Sequence, residues 1–239
     1  RVHSIISRSW LLAALDRKNT AKTPAKMTET DELIRWYNRE DHDIFDVCAD
    51  DHCQRYQGIT KIISNMAADA VERTRGHVLT YGDKVCDARY FKACGGITEN
   101  YETAWEETPV PYLVSVSDSQ GALAPVTSED KAADWISDPP DAYCNTKDEK
   151  LLAEILPGFD RETTQFFRWK VEYSKGQLEN VIREKSGIDF GTLKDLTPLE
   201  RGPSGRIKRL RIVGSKQSIV IGKELEIRRW LSPTHLYSS

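Results

Sequence analysis

The densest chemistry in the sequence lies between His42 and Tyr56, HDIFDVCADDHCQRY. Two histidines, His42 and His52, and two cysteines, Cys48 and Cys53, fall within it. Zinc takes thiolate sulfur and imidazole nitrogen in tetrahedral Cys₂His₂ sets. Cys48 and Cys53 are five apart, which a loop can fold around one ion, and His42 stands six before Cys48. His52 and Cys53 are adjacent, so both reach one ion only where the chain bends sharply. Three chemistries stay open on spacing: a structural zinc site, a Cys48–Cys53 disulfide with incidental histidines, and a Cys/His nucleophilic pair. Adjacency gives the last a poor geometry between nucleophile and base. Zinc is the leading reading. The remaining cysteines are Cys86, Cys94 and Cys144, and the odd total of 5 excludes full pairing within the chain. These three can include one disulfide where the compartment is oxidising.

The elements that must position this cluster follow from periodicity. Residues 2–16 read as a helix, with Val2, Ile5, Ile6, Leu12 and Leu15 apolar. Residues 19–31 read as a polar loop and 44–48 as a short strand. A second helix is expected over 60–74, closed by Gly76. Two strands, 77–81 and 84–91, are expected to turn around Gly82. Residues from about 118 to 164, rich in Ser, Asp, Pro and Ala, read as an insertion with a helix near 148–156. From 165 the alternation of Phe167, Trp169, Val171 and Tyr173 predicts a half-buried strand. Ser174 and Gln177 form a capping box for a helix over 176–186, with Gly187 as its stop. A hairpin is expected from 206–213 and 217–222, and a last helix over 222–231. Helices and antiparallel hairpins mixed along one chain predict an α+β fold. The expected organisation is one domain over 1–239, with its core in 1–117 and 165–239.

Composition narrows the function classes. The 239 residues carry 34 basic and 37 acidic side chains, a net charge of -3, so nothing in the bulk charge points to nucleic acid. No apolar run approaches the length of a membrane span. Both ends read as cut, without an initiating Met or a leader peptide.

Four motifs, in order, resemble the stage II sporulation protein D family. SIISRSWLLAAL resembles its opening helix, with Arg8, Ser9 and Trp10 on that helix's Arg-Thr-Tyr positions. Gln54, Tyr56 and Gly58 resemble its Gln-x-Tyr-x-Gly segment. The stretches 76–81 and 88–91 resemble its paired strands. Cys94-Gly95-Gly96-Ile97-Thr98-Glu99, with Trp105 beyond, resembles its Ser-Gly-Gly-x-Thr-Glu…Trp signature, with Cys94 in place of Ser. The resemblance implies an extracytoplasmic lytic transglycosylase acting on peptidoglycan glycan strands, in the periplasm or cell envelope. It also implies zinc held by His42, Cys48, His52 and Cys53, and a cell-wall amidase as a further partner.

Such enzymes cut after N-acetylmuramic acid without water. A buried carboxylic acid protonates the glycosidic oxygen, and the sugar's own C6 hydroxyl closes a 1,6-anhydro ring. The family's catalytic Glu is expected about three residues ahead of Arg1, outside this chain. Within the chain, the resemblance implies substrate contacts from Arg8, Gln54, Tyr56, Gly95, Gly96, Thr98 and Glu99. Each has a bland counterpart: a structural Arg, a loop Gln, a plain Gly-Gly turn. Glu99 is the one carboxylate considered as a stand-in acid, and Trp105 suits core packing better than sugar stacking. His3, His77 and His235 belong to no constellation. The alternative to an enzyme is a non-catalytic cell-wall-binding or amidase-enhancing module. A metal-dependent hydrolase would need an open zinc position, which four protein ligands would close.

Overall fold

The computed structural model describes residues 1–17, 26–29, 31–36, 44–49, 53–54, 65–156, 166–234 and 236. The chain divides into two compact units, Arg1–Pro24 with Asn38–Phe91, and Ala25–Tyr37 with Lys92–Ser239. The class is α+β, as the mixed pattern predicts.

In the first unit, helix α1 spans Val2–Arg17 and helix α2 spans Asn65–Arg73. A two-rung antiparallel ladder pairs β3 (Thr80–Tyr81) with β4 (Lys84–Val85) around Gly82. The ladder is far shorter than the two strands expected from sequence, and 44–48 forms no strand. Among the described residues, apolar burial here is thin. Trp10, Ala14 and Cys53 form the buried cluster, with Leu11, Val47 and Cys48 against it, and α2 buries no residue.

The second unit is built on a five-stranded sheet of order β1-β2-β7-β6-β5. Its strands are β1 (Lys26–Glu29), β2 (Glu32–Arg35), β5 (Leu193–Arg201), β6 (Ile207–Gly214) and β7 (Ser218–Gly222). The β6–β7 hairpin appears where the sequence puts it, and β2 runs parallel to β7. Three strands, β1, β2 and β5, depart from the sequence reading. β1 occupies part of the expected polar loop. β5 is new, and its register shifts at Leu193/Asp195, Pro198/Glu200 and Glu200/Arg201 erase the period of two. Pro198 is tolerated there because β5 is an edge strand. The expected strand after 165 is absent, because no residue of 166–174 joins a ladder.

Helices α6 (Lys175–Ser186) and α7 (Glu224–Trp230) complete this core. The Ser174/Gln177 capping box forms, and Gly187 ends α6 at φ 71°, in the left-handed region that glycine enters without strain. Ile182, Phe190, Leu193, Leu210, Ile212, Ile221, Ile227 and Trp230 pack into one buried cluster. Each fully buried side chain of this size contributes about 1.5–3 kcal/mol.

Short helices α3 (Tyr101–Ala104), α4 (Glu129–Ser137) and α5 (Glu149–Ile155) fill the chain between. Only α5 matches the expected helix of the 118–164 segment. Val126 and Ala132 from that segment share a buried cluster with Ile97, and Val126 N–H donates to the Pro203 carbonyl at 2.9 Å.

Candidate functional site

In the first unit, the Arg8 side chain, expected at the substrate, is tied to backbone. The Arg8 guanidinium donates to the Thr74 carbonyl at 2.6 Å and the His77 carbonyl at 2.8 Å. It thereby closes the turn beyond α2, where carbonyls lack helical partners. One residue along, the buried Ser9 hydroxyl donates to Ile5 O at 2.7 Å and accepts the Leu79 N–H at 2.8 Å. The resemblance made Arg8 a substrate contact and gave Ser9 no role.

Gln54 stands apart. Its φ is 57°, the one non-glycine in the left-handed region among the described residues, and the Tyr90 hydroxyl donates to its carbonyl at 3.1 Å. A side-chain-bearing residue in that conformation carries strain that the surroundings must hold. Cys53 beside it is fully buried against Trp10 and Ala14, and Cys48 packs on the same cluster. His42, His52 and Tyr56 lie outside the described residues, as does His235. His3 meets Tyr90 edge-on at 4.9 Å between ring centroids.

In the second unit, the Cys-Gly-Gly-x-Thr-Glu motif is a crossroads. Gly95 and Gly96 adopt φ 78° and 114°. A Cβ at Gly96 would stand 2.9 Å from the Trp135 ring, so the close approach that requires glycine there is to protein. The Thr98 hydroxyl donates to Val114 O at 3.1 Å and accepts the Val116 N–H at 2.8 Å, fixing the next strand-like segment. Trp105 caps α3 through its N–H to Tyr101 O at 2.9 Å.

The Glu99 carboxylate gathers four donors: the Ser204 hydroxyl at 2.5 Å, Asn100 N–H at 2.8 Å, Thr103 hydroxyl at 3.2 Å and Ser204 N–H at 3.3 Å. Gly202 makes room for it, since a Cβ there would run into the carboxylate. Burial pushes the Glu99 pKa above the ordinary carboxylate value, against the pull of Ser204, Asn100 and Arg206. Arg206 donates to the Ser204 hydroxyl at 2.7 Å and to the Cys94 carbonyl at 3.0 Å. Arg168 donates to the carbonyls of Gly95 at 3.1 Å and Trp135 at 2.8 Å, with its guanidinium against the Phe167 and Trp135 rings. Both arginines escaped the sequence reading, because neither belongs to a motif.

Around this turn, Cys94, Asp118 and Cys144 bring metal-ligating atoms within 4.8 Å of one another. Cys94 and Cys144 stand 3.5 Å apart, sulfur to sulfur. The Asp118 carboxylate accepts the Cys144 N–H at 2.9 Å. The hydrogen bond from the Cys94 thiol lowers the Cys144 pKa, and the same bond, with burial, raises that of Cys94. No sequence signal joined these positions beyond the odd cysteine count.

Deeper in the same unit, Lys223 is fully buried. Its ammonium donates to the Glu102 carbonyl at 2.5 Å and pairs with Glu107 at 2.8 Å. Burial lowers its pKa against that pairing. Glu107, in turn, is raised by burial but held below the ordinary range by Lys223 and Lys208.

Among the described residues, no helix is long and apolar enough to cross a membrane. Comparison with known proteins divides the chain much as its contacts do. A family model described as "Domain of unknown function (DUF8618)" matches residues 99–239, more than half of the chain. A model described as "Stage II sporulation protein" matches residues 1–81. Stage II sporulation protein D of Bacillus subtilis (strain 168) is 44% identical over 48 residues, 20% of this chain. The match spans 14% of that relative's length. No solved structure matches.

Proposed function

The chain belongs to the family described as Domain of unknown function (DUF8618), with a Stage II sporulation protein segment over residues 1–81, and from this we propose that it acts on the glycan strands of peptidoglycan as a lytic transglycosylase. The N-terminal match is the observation that carries the reading. It falls on α1, the helix whose sequence resembles the one that leads from the family's catalytic Glu. In this reading the general acid lies just ahead of Arg1. Gln54, with its strained backbone, is the contact to sugar hydroxyls, as donor and acceptor. Arg8 positions α1 against the turn after α2 rather than binding the sugar. The site of action is extracytoplasmic, where the glycan is.

Zinc belongs to the same reading. Cys48 and Cys53 pack on one buried cluster, which suits a pair of thiolate donors, and His42 and His52 would complete the set. A closed four-ligand ion does no chemistry there. It pins the loop that carries Gln54 and Tyr56.

One observation favours a second reading, a non-catalytic cell-wall-binding or amidase-enhancing module. Glu99, the carboxylate of the Gly-Gly motif, is engaged by four donors and serves as a latch to the 202–206 turn. Incubation of the protein with purified cell-wall sacculi separates the two. The expected outcome is release of 1,6-anhydro-N-acetylmuramic acid ends, read by mass spectrometry. Sedimentation with the sacculi without new ends, or with faster cleavage only when an amidase is added, would replace the first reading by the second. Loss of zinc to a chelator should weaken sacculus binding and expose 44–54 to proteolysis.

A further inference from the structure

We propose that Cys94 and Cys144 are a built dithiol that closes to a disulfide, fastening the Cys94-Gly95-Gly96 turn to the 3₁₀ turn Tyr143–Asn145. The two sulfurs stand 3.5 Å apart although the residues are 50 apart in sequence. Closure shortens that gap to about 2.0 Å, a side-chain movement.

The backbones on both sides are already held. Arg206 fixes the Cys94 carbonyl and Arg168 the Gly95 carbonyl. On the other side, Asp118 accepts the Cys144 N–H through its carboxylate and the Tyr143 N–H, at 2.8 Å, through its carbonyl. Asp118 N–H in turn donates to Gly96 O at 2.9 Å, so the two turns are joined through one residue. Two thiols held this way face each other at high effective concentration, which favours the disulfide over the open pair.

The alternative occupant is a metal ion. Among the described residues three donors converge, which leaves a tetrahedral ion one ligand short. The Arg168 guanidinium donates to the Gly95 carbonyl beside Cys94, so a dication would enter next to a fixed positive charge. A thiolate, or the neutral disulfide, suits that surrounding better.

The two sulfurs also differ in access. Cys94 is buried at 5% exposure, whereas Cys144 is partly exposed. Cys144 is therefore the attacking thiol and Cys94 the resolving one. With oxidised glutathione as the oxidant, the Cys144 thiolate bonds to one glutathione sulfur and a glutathione thiolate leaves. Cys94 then gives its proton to solvent, and its thiolate attacks the Cys144 sulfur and expels the second glutathione. Two protein thiols are oxidised, and one glutathione disulfide is reduced to two thiols. This chemistry is independent of the cell-wall reading.

The test equilibrates the purified chain with oxidised glutathione, blocks thiols by alkylation and maps a non-reduced digest by mass spectrometry. A peptide pair joined through Cys94 and Cys144 is expected in most molecules. Cys94→Ser is expected to trap glutathione on Cys144, and Cys144→Ser to leave Cys94 unmodified. Reduction should lower the thermal midpoint of the native chain by about 5 °C or more and leave that of Cys94→Ser unchanged. A persistent glutathione adduct on Cys144 in the native chain overturns the proposal, as does alkylation of both thiols or pairing of either with Cys86. So does loss of about one bound zinc in the Cys94→Ser/Cys144→Ser double variant, which would make the cluster a metal centre. Should the variants fail to fold, the cross-link and the reductant shift in the native chain decide it alone.

Discussion

The two units of this molecule keep their order by different means. Residues 92–239, with β1 and β2, close around an eight-residue apolar cluster beneath a five-stranded sheet. Among the described residues, the unit of α1, α2 and the β3–β4 ladder buries three residues in its cluster and adds single polar ties such as Arg8 to Thr74 and His77. Apolar burial is shared among many contacts and tolerates local change, whereas a guanidinium clamp concentrates stability in one side chain. The DUF8618 match lies within the second unit, whereas the Stage II sporulation protein match covers α1, α2 and the ladder and also takes in β1 and β2 of the second unit.

Three experiments press on that contrast. The largest effect is expected from Ile212→Ala, which removes a fully buried side chain from the sheet core. It should cost about 3–4 kcal/mol in chemical denaturation. Hydrogen exchange should lose protection over 193–230 and keep it over 65–91. Equal loss in both stretches would mean that the units unfold as one and that the contrast is only descriptive.

Arg8→Ala comes next. Two hydrogen bonds from a charged donor are lost, together with the partner of two carbonyls, for about 2 kcal/mol. Exchange should quicken over 70–80 and not over 193–230. Arg8→Lys should recover part of the loss, since an ammonium lacks the planar fork that serves two carbonyls. If Arg8→Ala instead leaves stability intact and abolishes sacculus binding, Arg8 is a ligand to the glycan and the clamp is incidental.

The smallest effect is a pH slope in the second unit. Burial raises the Glu99 pKa above its ordinary 4.5, so the folded state holds that proton more tightly than the unfolded chain does. Its contribution is fully present below 4.5 and is lost as pH rises through the folded pKa. Glu107 runs the other way: its pKa is lowered by Lys223 and Lys208, so its contribution is lost as pH falls. Glu99→Gln should therefore flatten the decline in stability above pH 4.5 and leave the acid-side loss unchanged. A slope identical to that of the native chain would show that Glu99 is ionised throughout and acts only as a hydrogen-bond acceptor.

The sequence by itself determined what short-range physics controls. The capping box at Ser174, the left-handed stop at Gly187, α1 and the β6–β7 hairpin are each specified within a dozen or so residues, and each formed where the pattern puts it. The resemblance of the first 81 residues was legible for the same reason, as a run of local motifs. The edge strand β5 was hidden because Pro198 and its register shifts remove the alternation that marks a strand. The pairing of Glu32 with Val220, in β2 and β7, depends on a long loop closure that no local pattern records. The same holds for the meeting of Cys94, Asp118 and Cys144, for the Glu99 latch to Ser204, and for the burial of Lys223 against Glu107. In each, the partners are ordinary side chains far apart in the chain. Only the packed tertiary structure decides which come within hydrogen-bonding reach and which are shielded from water strongly enough to shift their pKa.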